Sequence, residues 1–235
     1  MTKPELEHIE SGLPVPAGGQ AASKPLPLRA IVSNRSFAAI TLSYFSYGYI
    51  TYIFFTWFFT YLSRVRGLDL KKSAVYSMLP FIAMACGSIL GGWIADALTR
   101  HYGRRVGRCG LAVFGLALSA IFIALATQVK SAELASVVLA GGAGAVYLSQ
   151  SAFWAVTADI AGPSAGFASG LMNMGGQIGG TVTGVLTPWI ADQFGWTASF
   201  LVAAALCAFG SLAWLFVNPN DRITDKRASG TANVL

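Results

Sequence analysis

Charged residues interrupt the chain only at wide intervals between residues 36 and 220, and this spacing limits the possible folds more than any other feature. Each uncharged stretch holds at least 21 residues, and about 20 are enough to cross the hydrocarbon core of a bilayer as a helix. A helix satisfies its own backbone in lipid, which an open sheet cannot do. The pattern therefore predicts an all-α integral membrane protein with six transmembrane helices, at approximately 37–62, 74–98, 108–128, 134–158, 164–190 and 196–217.

The composition agrees with a membrane protein. Only 11% of the residues are charged, whereas a soluble domain has about 25%, so this chain cannot cover a water-facing surface. The net charge of +6 comes from short clusters between apolar runs, which is typical of membrane topology and not of a nucleic-acid surface. The three cysteines are far apart and show no metal-ligand spacing. The predicted partner is the lipid bilayer, and neither a metal nor a cofactor is predicted.

The two ends of the chain differ from its middle. Residues 1–35 include five of the nine prolines and no apolar run, which predicts a flexible polar tail. We expect a six-helix bundle at 36–218 and a polar C-terminal tail at 219–235. From residue 24 onward, cytoplasmic termini would place ten Lys and Arg on the inner side and five on the outer side, which favours that orientation, although the 64–72 cluster opposes it. In a bacterium, this would be the inner (cytoplasmic) membrane.

A polar stripe follows the fifth predicted span. Its members recur every four residues and so share one helix face: Ser169, Asn173, Gln177 and Thr181. Glycines at 176, 180 and 184 form a neighbouring row that permits close helix contact. Asn173 and Gln177 either hydrogen-bond to neighbouring helices or face a wet cavity that holds a polar solute.

Aromatic and polar residues in the first and fourth spans are further candidates for lining a cavity. Tyr44 and Tyr47 lie deep enough in the first span that each hydroxyl needs a partner. The fourth span carries Tyr147, Gln150, Ser151 and Trp154. Residues 147, 151 and 154 share a helix face. Trp154 lies near the end of its span, so an interfacial anchor is the alternative interpretation.

A compact charged motif ends the second span, formed by Gly92, Asp96, Arg100, Arg104 and Arg105. The helix dipole disfavours a carboxylate near the C-terminal end of a helix. Asp96 is therefore predicted to need an arginine partner, and Arg100 at i+4 is the nearest. The motif is either a gate contact or an ordinary solvated charge cluster.

No carboxylate, lysine or histidine lies in the middle of any predicted span. Proton-coupled transport normally uses a titratable group inside the membrane, so these six spans offer no coupling residue. The sequence shows no pairing of a nucleophile with a base, and we expect that the protein is not an enzyme.

Three motifs resemble those of a known transporter family. Gly92-x-x-x-Asp96 followed by Gly103-Arg104-Arg105 resembles the loop motif of the major facilitator superfamily, in its second-half copy. The segment from Phe153-Trp154-Ala155 to Asn173-Met174-Gly175-Gly176 resembles the penultimate helices of the anion:cation symporter family within that superfamily. Thr56-Trp57 and Thr60-Tyr61-Leu62 resemble that family's seventh helix.

The resemblance implies a fold and a function. The six spans are similar to helices seven to twelve, one bundle built as a 3+3 inverted repeat. The implied substrate is a small organic anion, such as a sugar acid, moved by proton or cation symport. The resemblance assigns Tyr44, Tyr47, Ser151, Trp154 and Asn173 to the substrate cavity. Gln177 is added from the polar stripe.

Three interpretations of the whole chain remain open. In the first, the chain is the C-terminal half of a transporter that is incomplete alone and needs an N-terminal half. In the second, it is a non-transporting membrane fragment, or a subunit that pairs with a separate half. In the third, two copies of the chain together supply twelve helices.

Overall fold

The computed structural model describes residues 26–223, which form helices and no strand. The remainder of the two predicted tails, residues 1–25 and 224–235, lies outside the described residues. The α-helices are α1 (Leu28–Val32), α2 (Arg35–Tyr52), α3 (Phe58–Thr60), α4 (Leu70–Arg104), α5 (Leu111–Ala126), α6 (Ala132–Leu148), α7 (Gln150–Ala161), α8 (Ala165–Phe194) and α9 (Trp196–Ala213). Three π-helical segments (Ile53–Trp57, Tyr61–Val65 and Arg105–Gly110) and two 3-10 turns (Gly162–Ser164 and Trp214–Phe216) connect or extend them.

Three continuous helical stretches within residues 26–223 are long and apolar enough to cross a membrane. Two of them, Leu70–Ala126 and Ala132–Phe194, are far longer than one crossing needs. Each contains a glycine with a positive φ, Gly103 at 82° and Gly162 at 53°, where the backbone leaves the helical conformation and the chain can turn. Helical structure also covers every predicted span, so the all-α prediction is confirmed.

Side-chain caps fix where three of the helices begin. Asn34 Oδ1 accepts a hydrogen bond from the Phe37 N–H at the start of α2, at 2.9 Å. Asp69 caps α4 at 2.9 Å, and the Ser131 hydroxyl caps α6 at 3.2 Å. Each cap satisfies a backbone N–H that the first helical turn leaves without a partner.

Helices α2 and α8 pack closely, as do α4 and α6. A Cβ added at Gly48 in α2 would overlap the backbone of Gly176 in α8, and one at Gly87 in α4 would overlap the backbone of Gly144 in α6. Small residues therefore bring both pairs of backbones together, as they do at membrane helix interfaces in general. Helix α9 lies against α5 and α2, and α5 also contacts α6.

Both ends of the described chain pack against one end of the bundle. The Leu26 N–H donates to Ser164 Oγ at 2.8 Å, and the Ile223 N–H donates to the Ile160 carbonyl at 2.8 Å. Ile31 in α1 is fully buried. The structure thus differs from the predicted tails at residues 26–35 and 219–223. The reason is that Ile31 and Ile223 are apolar and cover the end of the bundle.

Candidate binding cavity

An open cavity of about 170 Å³ lies between α2, the junction of α6 with α7, and α8. The π-helical segment Ile53–Trp57, which follows α2, also reaches the cavity, through Phe55. Its lining residues are Tyr44, Tyr47, Gly48, Thr51, Tyr52, Phe55, Tyr147, Gln150, Asn173, Gly176 and Gln177. None of these residues is charged, and most are aromatic or carry a hydroxyl or an amide.

Four of the six predicted substrate residues line this cavity, namely Tyr44, Tyr47, Asn173 and Gln177. The rings of Tyr44 and Tyr47 stack, with centroids 5.0 Å apart and planes 6° from parallel. The Tyr47 ring also lies 5.4 Å from that of Tyr147 across the cavity wall. The structure thus brings the deep tyrosines of the first span and the amides of the fifth span together.

Ser151 and Trp154 do not line the cavity, and Tyr147 and Gln150 do so instead. Trp154 is 41% exposed and packs edge-on against Tyr44, with centroids 6.3 Å apart. Ser151 Oγ is buried and has no hydrogen-bond partner within residues 26–223.

The interruption between α6 and α7 explains this difference. At Ser149 the N–H bonds to the Val146 carbonyl at 3.2 Å, and the hydroxyl bonds to the same carbonyl at 2.6 Å. This i−3 pattern winds the turn more tightly than an α-helix. The prediction assumed an unbroken 3.6-residue period, and nothing in the sequence around Ser149 signals the tighter turn.

Sequence reasoning also missed Thr51, Tyr52 and Phe55. They lie where α2 passes into the first π-helical segment, and a π-helical turn has no clear sequence signature. The Tyr52 hydroxyl donates to Gln177 Oε1 at 2.7 Å. Thr51 is 5% exposed, and its Oγ1 has no hydrogen-bond partner within residues 26–223. A buried hydroxyl without a partner is costly unless water or a ligand binds it.

The cavity can hydrogen-bond a polar solute but offers it no counter-charge. The side-chain amides of Asn173, Gln177 and Gln150 can donate to oxygen atoms, and the tyrosine rings give flat apolar walls. An anion leaves water only when a cation or several donors replace its hydration. This arrangement suits the neutral, oxygen-bearing part of a small solute.

The structure does not pair Asp96 with the arginine cluster, a contact that the sequence predicted. Asp96 is exposed, and the ion pairs found within residues 26–223 are both made by Asp159 in α7. Asp159 accepts from Arg108 and lies 3.8 Å from Arg104. Gly103, with a φ of 82° and a ψ of 169°, turns the chain between Asp96 and Arg104 and so separates Asp96 from Arg104 and Arg105. Arg100 precedes this turn, and both Asp96 and Arg100 are exposed to solvent, where an ion pair contributes little.

Comparison with known families identifies the chain. The family model described as Major Facilitator Superfamily matches residues 97–234. The chain belongs to the major facilitator superfamily. It is therefore a multi-pass membrane protein of a transporter family.

Its relatives transport anions. The chain is 34% identical over 202 residues to a "probable sulfoacetate transporter" of Cupriavidus necator, covering 85% of this chain and 46% of the relative. It is 31% identical over 204 residues to a hexuronate transporter of Bacillus subtilis, covering 83% and 47%. It is 30% identical over 226 residues to a chloroplastic ascorbate transporter of Arabidopsis thaliana, covering 94% and 41%.

These matches confirm the family resemblance and the prediction that the chain is not an enzyme. The chain spans less than half the length of each of these relatives.

Proposed function

We propose that the chain is the C-terminal half of a secondary transporter that moves small organic anions, such as sugar acids, by proton or cation symport. The observation that carries the proposal is the open, uncharged cavity lined by tyrosines and amides, in a chain whose relatives are anion transporters. In the complete transporter, an N-terminal half closes the cavity.

The order of helix packing supports a 3+3 inverted repeat within a six-helix bundle at 36–218. In such a repeat, spans one to three are equivalent to spans four to six. The contact of α2 with α8 then corresponds to that of α6 with α4, and the contact of α5 with α6 corresponds to that of α9 with α2. These equivalent contacts are among the most extensive in the bundle, and α5 packs on its own counterpart, α9.

The chemistry of the cavity supports division of the substrate between two halves. Tyr44, Tyr47, Asn173 and Gln177 would bind the neutral part of the anion, with Ser151 and Trp154 supporting that wall from outside the lining. No cation lines the cavity, so the carboxylate would need a counter-charge from outside residues 26–223. That is a task for the N-terminal half, which would also carry the coupling group.

The proposed gate contact is the pairing of Asp159 with Arg104 and Arg108, in place of the contact predicted for Asp96. Arg104 and Arg108 follow the turn at Gly103, and Asp159 ends α7, so their ion pairs join the two halves of the repeat. A contact in this position can hold one end of the bundle closed. Three residues of the predicted motif precede this turn in α4, namely Gly92, Asp96 and Arg100, and Arg105 follows it.

The charge distribution supports cytoplasmic termini. The bundle end that holds both termini of the described chain carries seven cations: Arg29, Arg35, Arg100, Arg104, Arg105, Arg108 and Arg222. At the opposite end, the Arg66 guanidinium donates to the carbonyls of Val129 and Ser131, and five cations lie there: Arg64, Arg66, Lys71, Lys72 and Lys130. Seven against five favours the first end as cytoplasmic.

A cysteine introduced at Lys130 tests this orientation. Because Lys130 lies in the loop opposite the described termini, we expect a membrane-impermeant maleimide to label it in intact cells. A control cysteine at Arg222 should react only after permeabilisation. The reverse pattern would place the termini outside.

Uptake by paired halves tests the function. We expect the chain alone to take up neither glucuronate nor sulfoacetate in liposomes, because one cavity wall and the counter-charge are missing. Co-expression with the N-terminal half of the Cupriavidus relative should produce uptake of at least one probe. Asn173→Ala should then weaken uptake by about 1–3 kcal/mol, the cost of leaving a polar partner unsatisfied.

The other interpretations predict different results. Uptake by the chain alone would favour a dimer of two copies. No uptake with the co-expressed half, despite correct assembly in the membrane, would favour a non-transporting subunit.

A further inference from the structure

The hydrogen bond between Tyr52 and Gln177 gives the cavity a fixed polarity. The Tyr52 hydroxyl donates to Gln177 Oε1 at 2.7 Å, which engages one lone pair of the amide oxygen and directs that oxygen toward Tyr52. A glutamine amide has one acceptor oxygen and one NH₂ donor group. With its oxygen engaged, Gln177 offers its NH₂ group to the cavity that both residues line.

The Tyr52 ring packs against two neighbours. A Cβ added at Gly180, three residues beyond Gln177 on α8, would overlap ring carbons of Tyr52. The Phe55 ring lies 5.6 Å away at an angle of 54°. The absence of a side chain at Gly180 therefore lets the Tyr52 ring pack directly on α8, where its hydroxyl reaches Gln177.

Local backbone structure adds to this positioning. Tyr52 is the last residue of α2, and the π-helical segment begins at Ile53. The Thr56 hydroxyl bonds to the Tyr52 carbonyl at 2.6 Å. π-Helical turns inside longer helices are frequent at functional sites, and here the turn begins where Thr51, Tyr52 and Phe55 reach the cavity.

We propose that Tyr52 is a positioning residue that holds the Gln177 amide as a hydrogen-bond donor to an oxygen of the transported anion. The inference rests on the proposed function, since it concerns the same cavity. It assigns Tyr52 a part in substrate specificity. Solutes with an acceptor oxygen at this point are favoured, because no cation lines the cavity and donors alone must replace water there.

Two substitutions separate positioning from simple helix contact. Tyr52→Phe keeps the ring and removes only the hydroxyl, so Gln177 can rotate and present its oxygen. With the Cupriavidus N-terminal half and glucuronate as the probe, we expect KM to rise roughly three- to tenfold, the value of one hydrogen bond, with little change in maximal rate. Gln177→Glu keeps an acceptor for Tyr52 and removes the donor, so we expect a larger loss of uptake.

Tyr49→Phe is the matched control. Tyr49 lies on the same helix, and its hydroxyl lies 3.0 Å from Thr187 Oγ1, also on α8, but it does not line the cavity. We expect its KM to equal that of the wild type. In the Gln177→Glu background, Tyr52→Phe should have no further effect on KM, since the donor that it positions is already gone.

A spectroscopic measurement on the purified full chain does not depend on transport. The chain has five glutamines, at 20, 128, 150, 177 and 193, so the side-chain amide signal of Gln177 can be assigned in ¹⁵N-glutamine-labelled protein by its loss in Gln177→Asn. We expect Tyr52→Phe to shift this signal and Tyr49→Phe to leave it in place.

The outcomes distinguish the two proposals. A shifted amide signal without any uptake by the wild-type pair would support the positioning role and reject the transport function. An amide signal unmoved by Tyr52→Phe, or full uptake by Gln177→Glu, would show that the two side chains only tie α2 to α8. Either result would overturn the inference.

Discussion

The two closest helix pairs in the bundle use glycine for different purposes. Between α4 and α6, glycines allow the two backbones to touch: a Cβ added at Gly87 would overlap the backbone of Gly144, and one at Gly91 would overlap that of Leu148. Between α2 and α8, Gly48 and Gly179 also meet backbone atoms, but Gly176 and Gly180 meet the rings of Tyr44 and Tyr52.

This difference explains why only one of the two pairs contributes heavily to the cavity. In the α2–α8 pair, Gly176 and Gly180 lie against the rings of Tyr44 and Tyr52, both of which line the cavity, and the Tyr52 hydroxyl donates to Gln177 on α8. A row of small residues can therefore serve either close packing or the placement of a larger ring on the facing helix. Which of these occurs depends on the residues opposite the glycine and not on the glycine row itself.

The largest expected effect comes from filling the backbone contacts of both pairs. Gly48→Leu and Gly87→Leu each place a side chain where the facing backbone lies, so we expect a loss of about 3 kcal/mol or more in stability. The monomer peak of the detergent-purified chain in size-exclusion chromatography should decrease sharply. Gly184→Leu is the control, because a Cβ there meets nothing within 4 Å. If all three variants gave the same monomer peak, close backbone contact at Gly48 and Gly87 would not be what stabilises the two helix pairs.

A finer test separates backbone contact from ring seating within the α2–α8 pair. Gly179→Ala meets the Phe45 carbonyl, which cannot move without the helix, whereas Gly180→Ala meets the Tyr52 ring, which can rotate away. We expect Gly179→Ala to lower thermal stability by about 1–3 kcal/mol and Gly180→Ala to lower it less while raising the KM for glucuronate in the paired transporter. The opposite order of stabilities would contradict the distinction.

The smallest expected effect on stability is at the charged end of the bundle, away from both glycine contacts. Asp159 is partly exposed, with 21% of its side chain accessible. Asp159→Asn should change stability by less than about 1 kcal/mol, as for other solvent-accessible ion pairs. It should nevertheless alter the rate of glucuronate counterflow in the paired transporter, since the contact joins the segment after Gly103 to α7. Asp96→Asn, which breaks no ion pair within residues 26–223, should alter counterflow less. A larger change in the counterflow rate for Asp96→Asn than for Asp159→Asn would assign the gate contact to Asp96, as the sequence predicted.

Much of the fold could be predicted because the bilayer imposes a simple rule. Long uncharged stretches must be helices in lipid, so the spacing of charges predicted the all-helical structure of residues 26–223. The four-residue period of Asn173 and Gln177 likewise placed both amides on one face, and the structure brings them to the same cavity as Tyr44 and Tyr47.

The tertiary structure alone decided the remaining details of the site. The tight turn at Ser149 rotated Gln150 into the cavity and Ser151 out of its lining, and the turn at Gly103 placed Arg104 and Arg108 beside Asp159. Both are departures from a regular helix, which a periodic pattern assumes and cannot reveal. The pairing of Tyr52 with Gln177 depends in addition on which residues two distant helices place opposite each other. Sequence therefore determined the helices and their polar faces, and packing determined which faces meet.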